Sequence, residues 1–199
     1  MNIIFDLDGT LWDATTSISH AWNHIFEKKG LPSITSEDVR GICGMPAGDI
    51  LDVLQPGHNT EELLAELIKE EEEHLYREPG ILFDGMLEVL DELKKKHHLY
   101  IVSNCQSGYI ETFLETLQLS SYFLDYECWG NTKKIKGENI KLLMERNSLK
   151  EAVYIGDTLG DKKAAEDAGI PFIYASYGFG NLEGVSPSIE SPQDLLSLV

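Results

Sequence analysis

Five short apolar runs occur along the chain, and amphipathic stretches separate most of them. Their near-continuous hydrophobicity is typical of strands that are covered on both faces. The alternation of such runs with helical patterns predicts a parallel, doubly wound α/β sheet with a Rossmann-like core. The predicted strands cover residues 3–5, 99–102, 153–155, 172–175 and, more weakly, 123–128, and the predicted helices cover about 85–97, 107–118, 138–147 and 160–168.

Residues 14–79 interrupt this alternation, because no strand-like run occurs there. The segment contains successive amphipathic helical patterns separated by prolines and glycines, and the last pattern ends at Pro79 and Gly80. We therefore predict an α/β core formed by residues 1–13 and 80–199, with an inserted helical domain at 14–79.

Acidic residues outnumber basic ones by 34 to 16, which gives a formal net charge of −18. Such a charge repels polyanions, so nucleic acid is not an expected partner. A small phosphate ester remains compatible with it, because a divalent cation and a few donors can cancel the charge locally.

The three cysteines are widely spaced and form no CxxC pair, which argues against both a disulfide framework and a structural zinc site. A reducing cytoplasmic location is expected. The sequence contains no apolar stretch of bilayer-spanning length and no basic segment before its first apolar run, so no membrane association is expected.

Polar side chains follow three of the predicted strands. The stretch "IIFDLDGTLWD" carries Asp6 and Asp8, "LYIVSN" ends in Ser103 and Asn104, and "YIGD" ends in Asp157. Because ligands of open α/β sheets bind outside the carboxyl ends of the strands, we expect these groups to share one site.

Asp6 and Asp8 are two residues apart, so extended geometry would direct both carboxylates to the same side. Close carboxylates raise one pKa unless a cation intervenes, which suits one to acid–base chemistry and the other to magnesium. Gly9 also allows the simpler interpretation that Asp8 is only a turn former. Asp157 and Asp161 are further candidate ligands for the same cation, with helix capping as the alternative role.

A phosphate site also needs positive charge. "GNTKKIKGENI" offers Lys133, Lys134 and Lys136, and Lys136 stands just before a predicted helix, from which its side chain can reach the strand ends. Surface exposure is the expected state of two of the three lysines.

These motifs, in this order over the whole chain, resemble the haloacid dehalogenase superfamily: "DLDGT", a serine that ends a later strand, a lysine that opens a helix, and "GDTLGD". The insertion resembles the helical cap of phosphoglycolate phosphatases and their relatives. The resemblance implies a magnesium-dependent phosphatase that acts on a small phosphomonoester. Asp6 would attack phosphorus to form an aspartyl phosphate, Asp8 would serve as acid and then base, and Lys136 would steady Asp6 and the phosphate.

The resemblance also assigns the binding residues. Thr10, Ser103 and Asn104 would hold phosphoryl oxygens. Magnesium would bind Asp6, the Asp8 carbonyl and Asp157, and Asp161 would support that cluster. In the cap, "GICGMPAGD" makes Gly44, Met45 and Pro46, with Ala47, the candidate specificity residues, although an ordinary break between helices is an equal alternative.

The sequence departs from the motifs of the superfamily at two positions. The motif lysine is usually followed by proline, whereas Gly137 follows Lys136, so Lys134 stays an alternative. Ile18 stands where sugar phosphomutases of the superfamily carry a histidine, which favours hydrolysis over phosphomutase activity.

Asp8 disfavours carbon–halogen cleavage, because haloacid dehalogenases lack the second aspartate. A non-catalytic phosphoacceptor module is the third hypothesis, and the long insertion argues against it.

Two further features have mainly structural expectations. His20 and His24 are four residues apart, but no glutamate lies between them as in helical zinc sites, so packing or surface roles are expected. The glycine-rich stretch "SYGFGN" at 176–181 is expected either to line the entrance of the site or to form a solvent-exposed loop.

Overall fold

A six-stranded parallel sheet forms the centre of the molecule. A computed structural model of the protein describes residues 1–45 and 47–199, with only the backbone described for residues 47 and 48. The strands are β1 (Asn2–Phe5), β2 (Trp12–Asp13), β3 (Ile81–Leu82), β4 (His98–Ser103), β5 (Phe123–Cys128), β6 (Ala152–Gly156), β7 (Phe172–Ala175) and β8 (Ser188–Ile189). The sheet has the order β5-β4-β1-β6-β7-β8, and all of its pairings are parallel. The predicted α/β fold class is confirmed.

Four helices follow β2 and precede β3, in the stretch predicted to be an insertion. They are α1 (Thr15–Lys29), α2 (Ser36–Ile42), α3 (Ala47–Leu54) and α4 (Glu61–Leu75), and we call them the helical insertion. Thr35 and Thr60 cap the second and fourth of these helices through their side-chain oxygens. The strands β2 and β3 pair with each other in antiparallel orientation, so the chain enters and leaves the helical insertion at one two-stranded ribbon.

The remaining helices cover the two faces of the sheet. They are α5 (Met86–Leu93), α6 (Tyr109–Thr116), α7 (Trp129–Thr132), α8 (Lys136–Arg146) and α9 (Leu159–Ala168), followed by a 3₁₀ helix at Pro192–Ser197. Alternate residues of β1 point to opposite faces: Phe5 belongs to the same buried cluster as Phe113 of α6, whereas Ile4 belongs to the cluster of Ile140 of α8 and Ala165 of α9. In the described part of the chain, no helix is both long and apolar enough to cross a membrane.

The differences from the predicted elements have simple causes. Helix α8 begins at Lys136, two residues before the predicted start. The prediction missed this first turn because a charged residue and a glycine occupy it and give no apolar pattern. The strands β2, β3 and β8 are two residues long and carry too little periodicity to be recognised from the sequence.

Replacement of Phe113 by alanine tests the packing beneath α6. The Phe113 side chain is fully buried, and its ring centroid lies 4.9 Å from that of Trp12 and 6.5 Å from that of Phe123. We expect Phe113→Ala to reduce the free energy of unfolding by about 3–5 kcal/mol in urea titrations, because it leaves a cavity. Leu124→Ala, on a side chain that is 63% exposed, is the control and should cost less than about 1 kcal/mol. Equal losses would contradict this assignment of the core.

Candidate active site

The carboxyl ends of three neighbouring strands bring the predicted site residues together. In the pairing of β1 with β4 and β6, Phe5 lies opposite Ile101 and Ile155. Asp6 and Asp157 therefore follow adjacent strands at the same edge of the sheet. The first, second and fourth of the strands predicted for the core are therefore neighbours in the sheet.

Lys136 joins two of the aspartates. Its Nζ donates hydrogen bonds to Asp6 Oδ1 at 2.8 Å and to Asp161 Oδ1 at 2.6 Å, and the lysine is only 5% exposed. The next residue, Gly137, lies where α8 crosses α9: a Cβ there would lie 2.9 Å from the Cβ of Asp167. Glycine after the lysine therefore allows α8 to approach α9 closely. Lys134, the alternative motif lysine, is exposed.

Burial dominates the electrostatics of Asp6. It raises the pKa of the Asp6 carboxyl well above its ordinary value, and the charges of Asp161 and Asp157 raise this pKa further. The nearby ammonium of Lys136 opposes the shift. Burial by itself lowers the pKa of Lys136, but the carboxylates of Asp161 and Asp6 raise it above its ordinary value, so Lys136 stays charged. The cluster thus keeps a fixed cation beside Asp6.

Asp8 is held by two donors that sequence reasoning missed. The hydroxyl of Tyr109 donates to Asp8 Oδ1 at 2.8 Å, and the indole Nε1–H of Trp12 donates to the same oxygen at 3.0 Å. Burial raises the pKa of Asp8 to about 6, although both hydrogen bonds lower it. Asp8 therefore exchanges its proton close to neutral pH, as an acid–base group requires.

Asp157 is fixed by the glycine-rich loop 176–181. The backbone N–H groups of Phe179 and Gly180 donate to Asp157 Oδ2 at 2.7 and 3.3 Å. A Cβ on Gly178 would lie 2.2 Å from the Gly9 carbonyl oxygen and 2.4 Å from the Asp157 Cβ, so only glycine fits there. The loop thus orients Asp157 within the site. Neither predicted position of "SYGFGN", at the entrance or in solvent, included this role. Burial raises the pKa of Asp157 to about 6.

Asp161 has both capping and electrostatic roles. Its Oδ2 accepts hydrogen bonds from the backbone N–H and the hydroxyl of Thr158, at 2.9 and 2.6 Å, in a capping box at the start of α9. Its Oδ1 accepts the bond from Lys136. Because both oxygens are engaged, Asp161 is better placed to support the cluster than to ligate a metal directly.

The acidic cluster fits a divalent cation. Carboxylate oxygens of Asp6, Asp157 and Asp161 all lie within 4.8 Å of one another. Among the described residues, these three buried carboxylates are paired with the ammonium of Lys136, which leaves two negative charges in excess when all three ionise. Oxygen ligands with this excess of charge are the donors that Mg²⁺ prefers.

The predicted phosphate-binding residues lie at the same sheet edge. Ser103 is buried, and its Oγ accepts a hydrogen bond from the N–H of Cys105 at 3.3 Å. The Thr10 hydroxyl points to Asp157 Oδ1, at 3.4 Å, and the Asn104 amide donates to the carbonyl of Gly44 at 2.8 Å. The Asn104 side chain thus connects the sheet to the helical insertion.

The candidate specificity segment borders a cavity above the sheet edge. Gly44 and Met45 line this cavity together with Asp6 and Asp8. Pro46, the third predicted specificity residue, lies outside the described residues.

The two histidines of α1 lie away from this edge. His20 contacts Glu78 at 3.2 Å, whereas His24 contacts Glu70 at 3.0 Å. They therefore pair with different acidic residues. Among the described residues, His20 and His24 do not belong to one group of side chains close enough to hold the same metal ion.

Comparison with known protein families matches residues 3–175 to the haloacid dehalogenase-like hydrolases. The chain belongs to this family. Phosphoglycolate phosphatase of Vibrio parahaemolyticus is 28% identical over 217 aligned positions, which cover 99% of this chain and 95% of that protein. N-acetylmuramic acid 6-phosphate phosphatase of Pseudomonas putida is 23% identical, with coverage of 99% and 95%.

The fold of this haloacid dehalogenase-like hydrolase recurs in solved structures. A haloacid dehalogenase-like hydrolase from Streptococcus pneumoniae superposes with a TM-score of 0.83 at 23% identity, over 99% of this chain and 97% of that one. The superposition extends the agreement in fold to the helical insertion.

Replacement of Lys136 by methionine tests the buried bridge. The substitution leaves the Asp6 and Asp161 carboxylates without their cation, and we expect the free energy of unfolding, measured in urea without Mg²⁺, to fall by about 3–5 kcal/mol. The matched control is Lys134→Met, on an exposed lysine two residues away, which should change it by less than about 0.5 kcal/mol. Similar losses in both variants would argue against the bridge.

Proposed function

We propose that this hydrolase is a magnesium-dependent phosphatase that hydrolyses a small phosphomonoester through an aspartyl-phosphate intermediate. The observation that carries the proposal is the pairing of Asp6, fixed by buried Lys136, with Asp8, whose pKa is about 6, on the floor of one cavity. The names of the relatives support the same activity, since the Vibrio parahaemolyticus and Pseudomonas putida proteins are both phosphatases.

The first step uses both aspartates. Asp6 attacks phosphorus through a carboxylate oxygen, and the bond from phosphorus to the ester oxygen breaks. Asp8 gives its proton to the departing ester oxygen, so the leaving group departs as an alcohol. Lys136 holds the Asp6 carboxylate in one orientation during the attack and balances charge beside it.

The second step reverses the role of Asp8. Asp8, now ionised, takes a proton from a water molecule, and the resulting hydroxide attacks the phosphorus of the aspartyl phosphate. The bond from phosphorus to Asp6 breaks, which releases phosphate and restores the Asp6 carboxylate. Tyr109 and Trp12 keep Asp8 Oδ1 in place through both proton transfers.

Asp6 and Asp157, together with the carbonyl of Asp8, are the proposed magnesium ligands, with Asp161 in support. When bound, Mg²⁺ would neutralise charge on the transferred phosphoryl group. The two backbone donors from loop 176–181 orient Asp157 for this role. Ser103 and the backbone at Asn104 and Thr10 are the proposed holders of the phosphoryl oxygens.

We propose that residues 14–79 act as a cap domain over the site. The hydrogen bond from Asn104 to the Gly44 carbonyl supports this role, since it joins the helical insertion to a strand end at the lining of the cavity. Ile18 lines the same cavity and offers no group for transfer between sugar hydroxyls, which supports hydrolysis over phosphomutase activity. The three free cysteines are consistent with the proposed cytoplasmic location.

Loss of the nucleophile tests the reaction. We expect Asp6→Asn to lower magnesium-dependent release of p-nitrophenol from p-nitrophenyl phosphate at least about a thousandfold, because an amide does not form the acyl phosphate. Asp52→Asn, on an exposed aspartate of α3, should retain wild-type activity. Chelation of Mg²⁺ should abolish turnover, and its readdition should restore it. Robust turnover by Asp6→Asn would refute the nucleophile assignment.

Removal of the Tyr109 hydroxyl tests the acid. Its hydrogen bond stabilises ionised Asp8 and lowers the pKa, so Tyr109→Phe should raise the pKa of Asp8. Since the first step needs protonated Asp8, the alkaline limb of kcat/KM against pH for an alkyl phosphate should move to higher pH. Tyr122→Phe, which removes a hydroxyl bonded to Asp91, is the control and should leave the profile unchanged. A shift to lower pH would contradict the role of Asp8.

A further inference from the structure

The cavity between the sheet edge and the helical insertion has two contrasting halves. Asp6, Asp8 and Ser103 lie on its floor, where the proposed phosphoryl chemistry occurs. Its volume is about 80 Å³, which suits a compact leaving group. The helical insertion supplies the upper walls, which are mostly aliphatic: Ile18, Val39, Ile42, Ile50, Leu64 and Ile68.

Glu71 places one carboxyl among these apolar walls. It follows Ile68 by three residues on α4, so both side chains lie on the same face of that helix. Glu71 is only 7% exposed, and burial together with the charge of Asp8 raises its pKa to about 8. The Trp22 indole is the hydrogen-bonding group that opposes this rise, and its effect is smaller than those of burial and Asp8.

A second polar group in the walls lies beside Glu71. The indole Nε1–H of Trp22 is buried without a hydrogen-bond partner among the described residues. The Trp22 indole and the Glu71 carboxyl therefore form at most a weak hydrogen bond with each other, which is the smallest of the three contributions to the Glu71 pKa, and both groups keep unused hydrogen-bonding capacity. Buried polar groups without partners are costly, so a ligand that bonds to them gains specificity.

The charge of the cavity excludes one class of leaving group. Asp6, Asp8 and Glu71 line it, and the described lining contains no lysine, arginine or histidine. Residues 46–48, which are Pro, Ala and Gly, add no charged side chain. Arg40, a cation of α2, is engaged by Asp13 at 3.0 Å and by Glu37 at 3.3 Å.

A carboxylate on the leaving group would therefore add an unneutralised negative charge in either protonation state of Glu71. Burial of an unpaired charge among apolar side chains is strongly unfavourable. A neutral hydroxyl avoids this cost, and it can both donate to Glu71 and accept a hydrogen bond.

We propose that Glu71 selects phosphomonoesters of small, uncharged alcohols whose far end donates a hydrogen bond, and that it rejects esters with an anionic leaving group such as phosphoglycolate. This inference rests on the proposed phosphatase function and goes beyond it by naming the class of leaving group. Glu71 is thus a specificity-determining residue that contacts the leaving group opposite Asp6 and Asp8.

Three esters with the same two-carbon skeleton test the proposal: 2-hydroxyethyl phosphate, ethyl phosphate and phosphoglycolate. We expect kcat/KM for 2-hydroxyethyl phosphate to exceed that for phosphoglycolate by about tenfold or more. Ethyl phosphate, which has no donor for Glu71, should be hydrolysed several-fold less efficiently than 2-hydroxyethyl phosphate. Phosphoglycolate as the preferred ester would overturn the proposal.

Glu71→Gln tests the residue itself. The amide donates N–H bonds to a carboxylate and cannot ionise, so the preference against phosphoglycolate should fall to about threefold or less. Glu72→Gln, on the exposed neighbour of Glu71, should keep the wild-type ratio. An unchanged ratio in Glu71→Gln would overturn the assignment of this residue.

Binding separates this proposal from the proposed function. Calorimetric titration of the three esters into the Asp6→Asn variant with Mg²⁺ should give the same order of affinity, whether or not the wild-type protein turns them over. An inactive wild-type protein with this order of binding would refute the phosphatase function and support the selectivity. Tighter binding of phosphoglycolate than of 2-hydroxyethyl phosphate would refute the selectivity, even in an active phosphatase.

Discussion

The buried ammonium of Lys136 is the interaction on which the site depends. It contacts Asp6 after β1 and Asp161 in the first turn of α9, so one cation connects a strand end, a helix start and its own helix α8. Without a cation, like charges would separate these carboxylates or keep them protonated. The close packing of α8 against α9 at Gly137 delivers the lysine to that point, which links helix packing directly to charge balance.

The remaining acids are positioned by neutral donors rather than by further cations. Tyr109 and Trp12 bind Asp8, and the backbone of loop 176–181 binds Asp157. Neutral donors orient a carboxylate without cancelling its charge, so the cluster retains the excess negative charge that a divalent metal would need. The same burial raises the pKa values of Asp8 and Asp157 to about 6, which keeps their protons exchangeable near neutral pH.

Local patterns predicted the strands, the parallel sheet and the aspartates at the strand ends, because those signals lie within a few adjacent residues. The supporting contacts were not predictable in this way. Tyr109 is 101 positions from Asp8, and Phe179 is 22 positions from Asp157, so neither pairing leaves a mark in the local sequence. Glu71 lies within the acidic run "KEEEEH", a composition typical of a solvated helix face, and only the packing of α4 shows that this glutamate is buried.

The short ribbon of β2 and β3 places the exit and the return of the helical insertion side by side. A segment attached along such a seam can be lengthened, shortened or exchanged without changing the register of the six parallel strands. The groups proposed to react with phosphorus follow the strands of the sheet, whereas most walls of the cavity above them belong to the helical insertion. In this architecture, physically separate parts of the polypeptide would determine the reaction type and the substrate range. Sequence changes in one part can therefore alter one property while the other stays constant.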